Sequence, residues 1–185
     1  MGNNVSAAKP KVGGAVSVAP AGTALPTDAT TALAEAFKQL GYISEDGLTN
    51  KIEISTDSVK AWGGDEVLVT DNGRTVSYGY TLIEATNADV LKQVFGEDNV
   101  TGTLETGMHI AIKSNVQLPE QVVVIDMVLK DGALKRIVIP AGRITEVGEI
   151  TYNDGDPIGY EVTLSATPDA SGNTAHEYIK AASNG

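Results

Sequence analysis

The side chains that could support catalysis or bind a metal are few in this 185-residue chain, and they are scattered. The chain has no cysteine and only two histidines, His109 and His176, which lie far apart in the sequence. A pair of histidines on one helical turn is therefore excluded, and no serine lies in the Gly-x-Ser-x-Gly elbow of a hydrolase. We predict that the protein is not an enzyme and that it has no catalytic, metal or cofactor site.

The acidic clusters are better explained as turns than as ligand sites. The run Asn153-Asp154-Gly155-Asp156 resembles the start of a calcium loop, but its twelfth position is not a glutamate and no helical patterns flank it. The same residue types favour a tight turn. The pairs Asp65-Glu66 and Glu97-Asp98 also fall at predicted turns, where solvation accounts for them.

Composition limits the possible partners. With 24 acidic and 13 basic residues the formal net charge is -11, and the longest basic cluster is Lys135-Arg136. Binding to DNA phosphates requires clustered lysine and arginine, so tight nucleic-acid binding is not expected. An acidic surface instead repels polyanions that pass close to it. No apolar run approaches the length of a membrane span, so we predict no membrane partner.

Strand patterns dominate after Lys51 and indicate the fold class. Apolar and polar residues alternate over residues 52–58, and the segments Asp71-Asn72-Gly73 and Asp131-Gly132 are typical of hairpin turns. The nearly continuous apolar run 121–130 predicts a central strand. The pattern favours a mainly-β, antiparallel sandwich or barrel with one flanking α-helix. That helix is predicted over 88–95, with Asn87 as its N-cap.

The first fifty residues differ from the rest. Residues 12–18 predict a short strand, and the spacing of Leu33, Phe37 and Leu40 predicts a helix over 31–40 that ends at Gly41. The segments between these elements are rich in proline, glycine and threonine. We therefore divide the chain into an extended N-terminal arm and linker with a short strand and a helix (1–50), a β-sandwich body (51–167) and a polar C-terminal tail (168–185).

Several segments together resemble the major tail proteins, or tail tube proteins, of long-tailed bacteriophages. They are Gly14-Ala-Val-Ser-Val-Ala-Pro20, Gly22-Thr-Ala-Leu-Pro26 and Leu40-Gly-Tyr-Ile-Ser-Glu-Asp-Gly-Leu48, followed by the strand and helix series to Phe95. The resemblance covers residues 12 to about 167. It implies a structural virion protein whose homo-hexameric rings stack into a tube for DNA ejection. It also implies assembly in the host cytoplasm, partners such as the tape measure, tail tip and terminator proteins, and DNA passage without specific binding.

On this resemblance we expect the segment from Pro20 to Leu48 to contact a neighbouring subunit. The predicted interface residues are Pro20, Leu25, Pro26, Tyr42, Ile43, Asp46, Leu48 and Trp62. Four acidic residues on or next to polar strand faces are predicted to line the bore, namely Glu53, Asp57, Glu84 and Glu161. Two alternatives stay open: another virion subunit, such as a capsid decoration protein, and a carbohydrate-binding β-sandwich.

Overall fold

The computed structural model describes residues 4–182. Strands make up 46% of these residues and helices 8%, which confirms the mainly-β class. The single α-helix, α1, spans Ala88–Phe95, and short 3₁₀ turns occupy Glu97–Asn99 and Lys130–Gly132. The strands are β1 (Lys9–Pro10), β2 (Val16–Pro20), β3 (Lys38–Gln39), β4 (Ile43–Lys60), β5 (Glu66–Leu82), β6 (Val100–Thr101), β7 (His109–Ile110), β8 (Gln121–Val128), β9 (Leu134–Val147), β10 (Tyr160–Thr167) and β11 (His176–Lys180).

All strand pairs are antiparallel, as predicted. The main sheet has the order β3-β2-β8-β9-β10-β5-β4, with β1 added to β8 and β11 added to β9, while β6 and β7 form a separate ribbon. Strand β8, predicted to be central, lies between β2 and β9. The helix predicted over 88–95 is also confirmed, because the Asn87 side chain accepts a hydrogen bond from the Asp89 N–H and Gly96 follows the last turn.

Strand β9 divides the main sheet into two halves. One edge of β9 pairs with β8 as far as Gly142, which lies opposite Gln121. On its other edge, residues 134–138 pair with β11 and residues 141–147 pair with β10. Between them Pro140 has no N–H to donate, and a Cβ at Gly142 would lie 3.2 Å from the Val123 side chain. We call β1, β2, β3, β8, β11 and the first part of β9 the first half-sheet. The second half-sheet contains the rest of β9 with β10, β5 and β4.

The core is one apolar cluster to which both half-sheets and α1 contribute. Aliphatic residues dominate it, and Tyr78 and Tyr80 are nearly fully buried. Burial in these apolar surroundings, with a further contribution from the Glu177 carboxylate, raises the pKa of Tyr78 to about 12. Helix α1 adds three buried side chains, and Phe95 meets Tyr160 edge to face at a centroid distance of 5.9 Å. The fully buried aliphatic residues include Val16, Leu40, Leu82, Val90, Leu91, Val123, Ile125 and Ile139.

The helix predicted over residues 31–40 is wrong. Asp28 accepts hydrogen bonds from the backbone N–H groups of Thr30 and Thr31, each at 2.6 Å, and this local turn competes with helical bonding. The end of the segment is β3, which pairs with β2, and Leu40 is fully buried. The apolar spacing therefore reflects packing of a loop and a short strand.

The hairpin turn predicted at residues 71–73 is also wrong. Strand β5 continues through it, and the pairing of Ser55 with Gly73 and of Thr56 with Asp71 leaves Asn72 as the extra residue of a β-bulge. The Asp71 carboxylate accepts a hydrogen bond from the Gly73 N–H at 2.9 Å. The hairpin turn between β4 and β5 instead lies at residues 61–65.

Both terminal regions pair with the main sheet over part of their length. In the predicted arm, β1 and β2 pair with β8. In the predicted polar tail, β11 pairs with β9. Strand β4 runs across the proposed boundary at residue 50. The division into three regions stays a prediction.

Candidate assembly surface

The most distinctive surface is the outer part of the β4–β5 hairpin, residues 49–75, which we call the outer hairpin. Every residue in this range is exposed, whereas Tyr78 of the same strand is buried. Tyr78 lies twelve residues after Glu66, the first residue of β5, and this length corresponds to about 40 Å of strand. The outer hairpin therefore projects well beyond the packed body of the subunit.

One face of the outer hairpin continues the apolar pattern of the core. Ile52 lies opposite Val76, one alternation beyond Tyr78, and Ile54 follows on the same face. Ile52 is 58% exposed and Ile54 is 56% exposed, although they lie on the same sheet face as the buried core residues. Exposed apolar surface of this kind marks protein–protein contact sites.

The end of the hairpin displays a second group of apolar side chains, which we call the hairpin tip (residues 59–69). Val59 lies opposite Leu68, and Val67 is the extra residue where the register shifts. The turn is closed by a 2.8 Å hydrogen bond from the Ala61 N–H to the Asp65 carbonyl oxygen. Positive φ angles at Gly63 and Gly64 allow this tight path. Trp62 is fully exposed on it.

The opposite face of the second half-sheet is polar and built from small residues. Ser77, Gly79 and Thr81 of β5 lie opposite Ser165, Thr163 and Glu161 of β10. The Thr145 and Ser165 hydroxyl oxygens lie 3.1 Å apart on the same surface. The uncharged residues of this face are therefore small ones.

Three of the four acidic residues predicted to line a bore follow the alternation of this polar face. Glu161 lies opposite Thr81, and Glu53 and Asp57 occupy the equivalent side of β4. Glu53 forms an exposed ion pair with Lys51 at 2.8 Å. Glu84 lies apart, because it accepts hydrogen bonds from the Tyr42 N–H and the Asn87 side chain, both at 2.9 Å. It thereby links the residue before β4 to the N-cap residue of α1.

Strand β4 also offers an open edge. It is the last strand of the main sheet, so the backbone groups on its outer side have no partner strand among the residues that the structure describes. A long, exposed edge strand is a template for pairing with another chain. The opposite end of the sheet is closed off differently, because β3 is only two residues long.

The predicted interface residues divide into exposed and self-packed groups. Pro20, Tyr42, Asp46 and Trp62 are exposed. Ile43 and Leu48 pack against the subunit's own core. The remaining two, Leu25 and Pro26, are half-buried within their own loop. The contact of this segment with a neighbour stays a prediction, since the structure contains one subunit.

Sequence reasoning missed a buried ion pair that fastens the N-terminal region. Arg136 is 1% exposed and binds Asp126 through two nitrogens, with Nε–Oδ1 at 2.6 Å and Nη2–Oδ2 at 2.9 Å. Its third nitrogen donates to the carbonyl oxygens of Asp28 and Thr31. The loop between β2 and β3, residues 21–37, is thereby held over the first half-sheet. We call this loop the strap.

A sequence signal for this pair existed. Asp126 is the single charge in an otherwise apolar strand, and Arg136 lies as many residues after Asp131 as Asp126 lies before it. A hairpin centred on Asp131 places the two side chains opposite each other, as the observed register does. The strap could not be found this way, because its contacts are long-range.

The residues considered for chemistry are not brought together. His109 is exposed on β7 of the small ribbon, and His176 lies on β11 of the main sheet. His176 Nε2 lies 3.4 Å from an Asp169 carboxylate that also closes a turn, and hydrogen bonds from the Asn173 and Ser171 N–H groups lower the pKa of Asp169. Across residues 4–182 no group of three or more acidic or histidine side chains could hold a metal ion. Within the same range, no helix has the length and hydropathy needed to cross a bilayer.

Comparison with known proteins supports the structural interpretation. A family model described as "Phage tail tube protein" matches residues 1–184, which is nearly the whole chain. A search of curated proteins finds no match. The family match agrees with the mainly-β antiparallel fold and its single α-helix. The chain therefore belongs to the phage tail tube protein family.

Proposed function

We propose that this protein assembles into stacked hexameric rings that form the tail tube, a conduit for DNA ejection. Its family makes it a structural component of the virion tail that assembles with itself and with other tail proteins. The tape measure, tail tip and terminator proteins are the partners we propose, with assembly in the host cytoplasm. The observation that carries the proposal is the outer hairpin, because a folded subunit leaves it wholly uncovered.

The outer hairpin suits contacts between copies of one chain. Its apolar stripe continues the core register, and the open edge of β4 can pair with a neighbouring strand. A contact that joins two different surfaces of identical subunits is head-to-tail, so it closes into a ring or continues as a filament. Tubes require both kinds of contact. The apolar stripe on one face of the outer hairpin and the open backbone edge of β4 provide two different contact surfaces for them.

We further propose that the polar face of the second half-sheet lines the bore. Glu53, Asp57 and Glu161 would present negative charge to DNA, and the small residues between them leave few groups that could bind it. A hexamer carries a formal charge of 6 × -11 = -66. Repulsion of the phosphates would let DNA slide through without being held.

Electron microscopy of the concentrated protein tests the assembly. We expect hollow tubes or six-fold rings. A matched variant replaces residues 54–74 by Asn-Gly, so that the cross-strand partners Glu53 and Thr75 are joined by a tight turn. This variant should keep the circular dichroism of the body and form no tubes. Wild-type protein that stays monomeric or forms only trimers would overturn the tail tube proposal and favour a decoration subunit.

The bore assignment has its own test. Tubes of a Glu53→Lys/Glu161→Lys variant should retain added DNA in co-sedimentation at low salt, while wild-type tubes release it. Glu105→Lys provides a control, because Glu105 is exposed in the loop between β6 and β7, which are not part of the main sheet. Equal DNA retention by both variants would show that these two carboxylates do not line the bore.

A further inference from the structure

A cleft lies beside α1 on the body of the subunit. It has a volume of about 600 Å³ and lies between α1, the end of β2, the strap and residues 118–121. A second cleft of about 430 Å³ adjoins it and shares Leu118 and Ile144 as lining residues. Ile112, at the margin of this second cleft, is 81% exposed. The two form one largely apolar groove.

The first and last described segments of the chain lie away from this groove, near the turn after β8. The Ser6 hydroxyl accepts a hydrogen bond from the Lys130 N–H at 2.7 Å, and Ala182 approaches Gly132. The groove lies at the other end of β8, beside Gln121. The seven-residue length between these points is about 23 Å of strand.

We propose that the groove receives the hairpin tip of a second copy of this chain. The inference rests on the proposed tube assembly and names the contact that joins its subunits. The tip is too far from its own groove to enter it. Ile144, which lines the groove, and Tyr78 both pair with Leu164 of β10, so they lie at the same level of the sheet. From Tyr78 to Glu66 at the tip there are about 40 Å of strand. The projecting group and the groove are thus separate surfaces of one chain. Such a pair makes a head-to-tail contact.

Size and charge agree with this occupant. An aromatic side chain such as Trp62 buries about 150–250 Å² when covered, and the groove is within the volume range that holds such groups. The tip carries Asp65 and Glu66. The groove is lined by four basic and four acidic residues, namely Lys38, Lys92, Lys113, Arg143, Asp89, Glu97, Glu120 and Glu146. Lys92 is paired with Glu97 at 2.6 Å, whereas Lys38 and Lys113 form no ion pair among residues 4–182. These two lysines are therefore available to the acidic tip.

Disulfide trapping tests the contact directly, because the chain contains no cysteine and introduced thiols have no competitors. Trp62→Cys and Ala36→Cys are combined in one chain; Ala36 is exposed and lines the groove. Oxidation of assembled protein should give a ladder of covalent dimers, trimers and longer species on non-reducing gels. Mass spectrometry of the cross-linked peptides must show the disulfide between Trp62→Cys of one chain and Ala36→Cys of another, because alternating pairs of identical positions would also give a ladder. The control pairs Trp62→Cys with Ala170→Cys, an exposed residue outside the groove, and should give no more than dimers through Trp62→Cys.

The outcomes separate this inference from the proposed function. Tubes without a ladder would overturn the docking contact and leave the tube assembly standing. If Ala36→Cys becomes protected from a maleimide in those tubes without cross-linking, another segment occupies the groove and the inference is also wrong. Absence of any wild-type assembly would instead overturn the proposed function. A Trp62→Ala variant should lower the yield of tubes at least tenfold while the subunit keeps its midpoint of unfolding.

Discussion

The first half-sheet and the outer hairpin are both rich in apolar strand residues, yet only the first half-sheet is covered. In β8, Val122 and Val124 on one face and Val123 and Ile125 on the other are all no more than 1% exposed. The core covers one face, and the strap lies over the other. In the outer hairpin, Ile52 and Ile54 have no cover. The difference shows that folding covers the first half-sheet but not the outer hairpin, and we propose that assembly covers the outer hairpin.

The strap is held over the first half-sheet by the charged side chain of Arg136, so a single substitution can release it. Arg136→Ala would leave the Asp126 carboxylate buried without its main partner and would release the strap carbonyl oxygens. Removing one member of a buried pair costs about 3–5 kcal/mol of unfolding free energy. Urea denaturation of the monomer measures this, and we expect the largest loss of stability among the variants discussed here.

A double variant separates the lost pair from lost packing. Asp126→Leu/Arg136→Met removes both charges together, so it should be less destabilised than Arg136→Ala alone. If Arg136→Ala changes the unfolding free energy by less than about 1 kcal/mol, the pair does not hold the strap as we describe.

The close approach of the chain at Gly14, just before β2, to Gly41, just after β3, can be tested by substitution. The φ of Gly14 is +128°, and a Cβ there would lie 2.4 Å from the Gly41 carbonyl oxygen. Gly14→Ala should therefore cost about 2–3 kcal/mol, because both the backbone conformation and the space are unsuitable. Gly22→Ala is the control, since its φ is +85° but no atom lies within 4 Å of the added methyl. It should cost about 1 kcal/mol, and equal losses in thermal unfolding would contradict the close approach.

The strap should also loosen in acid. Hydrogen bonds from the Thr31 hydroxyl and from the Thr31 and Thr30 N–H groups hold the pKa of Asp28 well below its usual range. A lowered pKa in the folded state stabilises the protein above the unfolded pKa, and this contribution is lost as the pH falls through the folded pKa. Proteolysis or amide exchange within residues 21–37 should therefore increase below about pH 4.

Asp28→Asn supplies the comparison for this effect. The amide oxygen can still accept hydrogen bonds, but it does not titrate in this range. Exchange within the strap should then depend less on pH than in the wild-type protein. An identical acid profile in both proteins would mean that another carboxylate controls the loosening.

The smallest effect on the subunit is expected in the outer hairpin. Ile52→Ser/Ile54→Ser should change the unfolding free energy of the monomer by no more than about 0.5 kcal/mol, because both side chains are already solvated. The same variant should form no tubes by electron microscopy. Lys51→Ser/Ser55→Ala on the opposite face serves as the control and should still assemble. A large loss of monomer stability would show that the stripe is already buried in the free subunit.

Local signals predicted much of this protein correctly. The Asn87 cap, the apolar spacing and Gly96 determine α1, because a helix forms from contacts between near neighbours. The apolar run of β8 and the Asp131-Gly132 turn likewise predicted a central strand and its antiparallel partner. The resemblance of residues 12 to about 167 to tail tube proteins predicted the family, which the family model over residues 1–184 confirms.

Other features were decided by the tertiary structure alone. Leu33, Phe37 and Leu40 have helical spacing, yet Asp28 turns the chain and β2 pairs with β3. Ile52 and Ile54 have the alternation of a half-buried strand, yet the body ends before it reaches them. Periodicity records which side chains can be covered, because it depends on local geometry. Which surface covers them depends on long-range contacts, and for the outer hairpin we propose that it is a surface on another copy of the chain.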